Sequence, residues 1–156
     1  MRLTIYTDYA LRVLMYLAVK DNGLASTSEI AASYGISRNH LMKVAYDLGA
    51  AGYIETVRGR RGGLRLAKAV DSIRLGEVVR RTEPDLALVI CLPPLDEPCA
   101  IRRCCILRGA LQRACAAFLD VLDDYSLADL VRPDVRLRSL LSIAPRPRVN
   151  GHARFR

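Results

Sequence analysis

STSEIAASYGISRNHLMKV, from Ser26 to Val44, is the stretch whose reading decides the fold. Its first four residues have the S-x-x-E form of a capping box, in which Ser26 and Glu29 satisfy each other's orphan backbone donors at a helix start. The helix they open, IAASY, is short, because Gly35 follows and glycine suits the positive φ of a tight turn. Ile36 and Ser37 then open a second helix through Leu48. Two short helices about a glycine turn form a helix-turn-helix. Upstream, Leu11, Leu14, Met15 and Ala18 recur at helical spacing, which predicts a helix from about Thr7 to Lys20 with Thr7 as its cap.

Downstream of Gly52 the pattern changes. YIETV and LRLA are short β-favouring runs separated by the basic, glycine-rich RGRRGG, which reads as a two-stranded hairpin or wing. SIRLGEVVRRTE then predicts a helix closing this unit near Glu83. After Pro84, three further prolines at 93, 94 and 98 argue for a loop. Beyond Cys105, Leu107, Leu111, Ala114, Phe118, Val121 and Tyr125 alternate steps of four and three, a heptad seam on one long helix. A small winged domain cannot cover that seam, so a homodimer is expected. The fold expected is mainly α with a small β-hairpin. Residues 1–83 form a winged helix-turn-helix, 84–105 a cysteine loop, 106–131 a dimerisation helix region and 132–156 a basic, largely flexible tail.

The chain has 156 residues, 51% of them hydrophobic, and a formal charge of +8. That length supports a real core without disulfide staples. The charge, carried mostly by arginine, points to an anionic partner, with nucleic acid first. No apolar run approaches a membrane span, the purest being LALVICL at 86–92, and Asp8 with Arg12 interrupts any secretory signal. A cytoplasmic protein without a membrane partner is expected.

Helix-turn-helix units present the start of their second helix to base edges. Here those residues are Ser37, Arg38, Asn39 and His40, with Lys43 one turn on. Arginine suits guanine, asparagine suits adenine, and serine and lysine more often touch phosphate. Arg58, Arg60 and Arg61 crowd the wing, where flanking phosphates or a minor groove would relieve their repulsion. A solvated basic face is the plain alternative, but turn, cap and basic hairpin occur in the order a winged helix requires, so double-stranded DNA is the expected partner.

CLPPLDEPCAIRRCC, from Cys91 to Cys105, holds four of the five cysteines; the fifth is Cys115. Thiols in the cytosol stay reduced, so a metal or redox role competes with a structural one. Structural zinc prefers C-x-x-C pairs, which are absent, and the two histidines, His40 and His152, lie far away in sequence. Thiol redox chemistry is open, since Arg102 and Arg103 favour thiolate. No catalytic partner set accompanies the thiols, so the chain does not read as an enzyme. An iron–sulfur cluster accepts widely spaced cysteines, and Cys91, Cys99 and Cys105 suit it. Cys115 reads as a small core hydrophobe.

Further identity comes from longer stretches: MRLTIYTDYALRVLMYLA, GISRNHLMKV, GYIETVRGRRGGLRLA, IRLGEVVRRTEP and CAIRRCCILRGAL. In these the chain, to about Leu130, resembles the NsrR-type nitric-oxide-sensing repressors, a branch of a winged-helix family that includes the iron–sulfur regulator IscR and the iron-responsive RirA. The resemblance implies a repressor that binds a palindromic operator as a homodimer and releases it when nitric oxide attacks an iron–sulfur cluster, [4Fe–4S] with [2Fe–2S] as the alternative. It selects Cys91, Cys99 and Cys105 as ligands, leaves Cys104 as an extra thiol, and implies Asp8 of the partner subunit as the fourth. The seven residues between Cys91 and Cys99 exceed the five common in such regulators. Where the IscR branch carries a histidine ligand, this chain has Leu107 and Arg108. An iron-availability or redox-responsive regulator of the RirA kind, or a thiol-based switch, is the competing expectation.

Overall fold

The computed structural model describes residues 2–21, 23–132 and 134–143. Helix α1 (Ile5–Lys20) runs through the middle, followed by α2 (Thr27–Tyr34), α3 (Arg38–Ala50), β1 (Ile54–Val57), β2 (Gly63–Leu66), α4 (Leu75–Thr82), α5 (Ile106–Asp123), α6 (Leu127–Leu130) and α7 (Asp134–Leu140). Among the described residues no helix is long and apolar enough to cross a membrane.

The start of α1 differs from expectation by one turn. Thr4, not Thr7, is the cap, its side chain accepting from the Thr7 N–H at 3.2 Å. Glu83 fixes Thr4 in turn, accepting from its N–H at 2.8 Å and its hydroxyl at 3.0 Å. Thr7 is fully buried and donates to the Thr82 hydroxyl on α4 at 2.9 Å. Both threonines have cap chemistry, and the packing of α4 decides between them. The apolar face is also rotated: Ala10, Val13, Leu14, Tyr16, Leu17 and Val19 are buried, whereas Leu11 and Met15 are half-buried. A central helix is covered on several sides, so one stripe underdescribes it.

Ser26 caps α2, accepting from the Glu29 N–H at 3.1 Å. Only this half of the expected box forms there. The Glu29 carboxylate turns instead to α1, where it accepts from the Tyr16 hydroxyl at 2.9 Å and from the Lys20 ammonium. Gly35 ends α2 at φ 64°, the left-handed turn its position required, and α3 starts after Ser37. Leu41, Val44, Ala45 and Leu48 seat α3 in the core beside Ile30.

Strands β1 and β2 pair antiparallel with Ile54 opposite Leu66 and Val57 opposite Gly63. Ala25 adds one bridge to Leu64, with bonds of 3.0 and 2.8 Å, which fastens the hairpin to the α1–α2 connection.

Two ties join α4 to the end of α5. Arg80 makes a bidentate pair with Asp123 at 2.7 and 2.6 Å, and the Leu75 N–H donates to the Tyr125 carbonyl at 3.0 Å. Gly76 stands at this crossing, where an added Cβ would displace the Asp123 and Arg80 side chains from their pair.

Residues 134–143 correct the expected boundary of a flexible tail. α7 folds back onto α1, Arg138 donates to the Val19 carbonyl, and the Ser33 hydroxyl donates to the Leu141 carbonyl at 3.0 Å. Leu141 and Ile143 are buried in the same core as α1. Burial of these apolar side chains, together with an arginine on the carbonyl end of α1, supplies the reason. The PRPRVNGHARFR segment expected to be disordered lies outside the described residues.

Four tyrosines give the fold a defined alkaline limit. Burial is the main cause that raises Tyr6, Tyr16, Tyr34 and Tyr53, with Tyr34 pushed up to about 12. A group whose folded pKa exceeds its unfolded value contributes stability that is intact below the unfolded pKa, 10.0 for tyrosine, and lost as pH climbs through the folded one. Urea unfolding is therefore expected to show stability falling between pH 10 and about 12. A flat curve across that window would contradict the burial of these phenols.

Candidate nucleic-acid interface and thiol loop

The second helix of the helix-turn-helix, α3, divides into two faces. Ser37, Arg38, Asn39, His40, Met42, Lys43 and Tyr46 are exposed, and the residues between them pack inward. The ring of His40 lies toward α1, 6.3 Å from the Tyr9 ring centroid. Met42 and Tyr46, the latter 77% exposed, were not singled out from sequence. Their helical spacing from Arg38 and Asn39 was the available signal.

Arg58, Arg60 and Arg61 are exposed at the wing tip and form no ion pair among the described residues. Arg65 differs. It stands opposite Glu55 in the hairpin and pairs with it, which neutralises the strand and leaves the positive charge at the tip.

Residues 84–105 contain no strand or helix, in keeping with their prolines. All five cysteines are free; Cys91, Cys105 and Cys115 are half-buried, and Cys99 and Cys104 exposed. Cys105 is the N-cap of α5, its sulfur accepting from the Arg108 N–H at 3.3 Å. The Arg108 Nε donates to the Cys91 carbonyl at 3.1 Å. The Arg102 N–H donates to the Cys99 carbonyl at 3.1 Å, and its guanidinium binds the Asp96 carboxylate at 2.8 Å. The Cys104 thiol donates to the Ile101 carbonyl at 3.5 Å, and that of Cys115 to the Leu86 carbonyl at 3.3 Å, joining α5 to the start of the loop.

Among the described residues, no three histidine, cysteine, aspartate or glutamate side chains converge closely enough to hold one metal ion. The donor set suits iron–sulfur chemistry better than a single zinc. Three soft thiols come from separate segments of one loop, whose backbone Arg102 and Arg108 bond at Cys99 and Cys91. Asp8 is not brought to these thiols within one chain; it is ion-paired with Arg12, one turn along α1, at 2.9 Å.

One outward strip of α5 is apolar. Leu107, Ala114 and Val121 lie along it, Leu107 and Val121 being 64 and 57% exposed, and no residue of the helix is fully buried.

A helix-turn-helix followed by a hairpin with a bare arginine tip defines a winged-helix DNA-binding regulator rather than an enzyme. The family model described as Rrf2, iron-dependent transcriptional regulator, matches residues 3–133. The HTH-type transcriptional regulator NsrR of Bacillus licheniformis is 51% identical over 143 residues, which are 91% of this chain and 100% of the relative. That of Bacillus subtilis is 48% identical over 144 residues, 92% and 99% of the two chains. Among solved structures, CymR, the global cysteine regulator of B. subtilis, matches with a TM-score of 0.68 at 28% identity, over 83% of this chain and 95% of that one. The chain belongs to the Rrf2 family of transcriptional regulators, and its similarity there is to the NsrR type.

Proposed function

We propose that this chain is a cytoplasmic, dimeric repressor that leaves a palindromic operator when nitric oxide reaches an iron–sulfur cluster of the [4Fe–4S] type on its thiol loop. Residues 1–83 read DNA, 84–105 carry the sensor, and 106–131 pair the two subunits through the outward apolar face of α5. Cys91, Cys99 and Cys105 hold the cluster, and Asp8 of the partner subunit completes the set. The observation that carries the reading is that these three thiols share one arginine-lined loop at the head of α5.

When bound, the cluster supplies iron that reacts with nitric oxide. A carboxylate is a hard ligand and a poor match for thiolate-rich iron, so Asp8 would be the weakest of the four donors. Its carboxylate has the Arg12 guanidinium as its other partner, at 2.9 Å. Without Asp8 in the set, α1 would not be tied across the dimer. The Tyr6 hydroxyl, which donates to Asp47, passes that freedom to α3. Two recognition helices need a fixed separation to enter successive major grooves, and without it the operator is released.

On DNA, Arg38, Asn39 and His40 face base edges, while Ser37 and Lys43 contact phosphate. Arg58, Arg60 and Arg61 hold flanking phosphate. Changing Arg60 and Arg61 together to alanine should therefore lower operator affinity and make the slope of log K against log salt shallower by roughly 2, from two lost phosphate contacts at about 0.9 each. An unchanged slope would place the wing off the DNA.

The deciding experiment is anaerobic purification, followed by iron and sulfide analysis, an absorption spectrum, and parallel exposure to nitric oxide, oxygen and a chelator. Stoichiometric iron and sulfide, with operator release by nitric oxide first, is expected. Protein without either element sinks the reading. The iron-dependent description of the family favours one alternative, an iron-availability regulator, for which the chelator would act first.

A further inference from the structure

Asp96 is one of two adjacent acids, with Glu97, in the cysteine loop, and segments carrying its thiols meet on it. Its N–H donates to the Leu92 carbonyl at 3.0 Å, which fixes it beside Cys91. Its two carboxylate oxygens each accept from Arg102 at 2.8 Å, and Oδ1 accepts from Arg108 at 3.4 Å. Arg102 lies between Cys99 and Cys104, and its own N–H donates to the Cys99 carbonyl at 3.1 Å. Arg108 reaches the other two: its Nε bonds the Cys91 carbonyl, and its backbone N–H bonds the Cys105 sulfur. The two guanidiniums hold the Asp96 carboxyl below the usual carboxylate range.

We infer that Asp96, with Arg102 and Arg108, forms a clamp that positions Cys91, Cys99 and Cys105 for their cofactor. This rests on the proposed reading of those cysteines as ligands, and none of the three clamp residues is itself a ligand. One effect follows from the geometry. The loop ends are held at fixed spacing before anything binds, so ligands need not be ordered at the moment of binding. Residues that orient ligands in this way typically change metal retention by about 10–100-fold when removed.

Asp96→Asn tests the clamp on the full-length protein. Asp96 sits at φ 49°, a conformation asparagine adopts readily, so the backbone is preserved while the charge is lost. Asp85→Asn is the control, since Asp85 lies on the same loop and bonds only the Ala87 N–H. In metal-free, reduced protein, iodoacetamide should alkylate Cys91 several-fold faster in Asp96→Asn than in the parent or Asp85→Asn. In anaerobically loaded protein, iron should pass to a chelator about tenfold faster. Arg108→Lys keeps the charge but loses the Nε donor to Cys91, and should match Asp96→Asn in both measurements. Parent-like rates in Asp96→Asn, or equal acceleration in Asp85→Asn, overturn the clamp. A parent protein that takes up no iron would instead refute the proposed function, and the alkylation rates would still decide the clamp.

Discussion

Cys99→Ala is expected to yield a folded protein that carries almost no iron or sulfide, lacks the brown colour of the parent, and no longer binds its operator in a nitric-oxide-sensitive way. The fold should survive because Cys99 is exposed and belongs to no buried cluster. Surface replacements of that kind stay within about 0.5 kcal/mol. Function should not survive, because a cluster attached by three thiols loses a third of its sulfur anchorage. Cys104→Ala is the matched control, an exposed thiol five residues on that the reading leaves without a ligand role. Urea unfolding of both variants, beside iron content and operator titration, separates the causes. If Cys99→Ala keeps its iron and its response, the ligand assignment fails. If Cys104→Ala loses iron equally, the wrong member of the adjacent pair has been chosen.

Leu141→Ala should cost about 2–5 kcal/mol, the range for truncating a buried leucine, against a total of about 5–15 kcal/mol for a domain of this size. Leu141 is buried with the α1 core, and its carbonyl is held by Ser33 of α2. The variant therefore attacks the helix-turn-helix from a segment more than ninety residues away in sequence. Operator affinity is expected to fall with stability as temperature rises, since the seat of α2 is lost first. A loss below about 0.5 kcal/mol would show that residues 134–143 lie on the domain without supporting it.

What was legible in the sequence was local. Gly35, the Ser26 cap and the alternating hairpin runs each act within a few residues, so their reading needs no knowledge of partners. The choice between Thr4 and Thr7 was not legible, because Thr82 and Glu83 make it from across the fold. Glu29 illustrates the same limit, having left its own helix cap for Tyr16 and Lys20. α7 escaped notice because Val135 and Leu140 are exposed, leaving too few inward residues for a periodic signal. In the thiol loop, cysteine spacing and resemblance were readable. The meeting of Asp96 with two arginines was not, because it depends on how an irregular backbone folds between prolines.

The two ties between α4 and the far end of α5 have a mechanical meaning. The Arg80–Asp123 pair and the bond from the Leu75 N–H to the Tyr125 carbonyl hold that end of α5 to the domain, so their crossing serves as its pivot. The 18 residues of α5 make an arm roughly 27 Å long from that pivot to Cys105. A shift of about 2 Å at the sulfur-bearing tip thus corresponds to a swing of roughly 4° at the pivot, by the same helix length. The length of α5 thus turns a small displacement at Cys105 into a change of angle against the domain that carries α3.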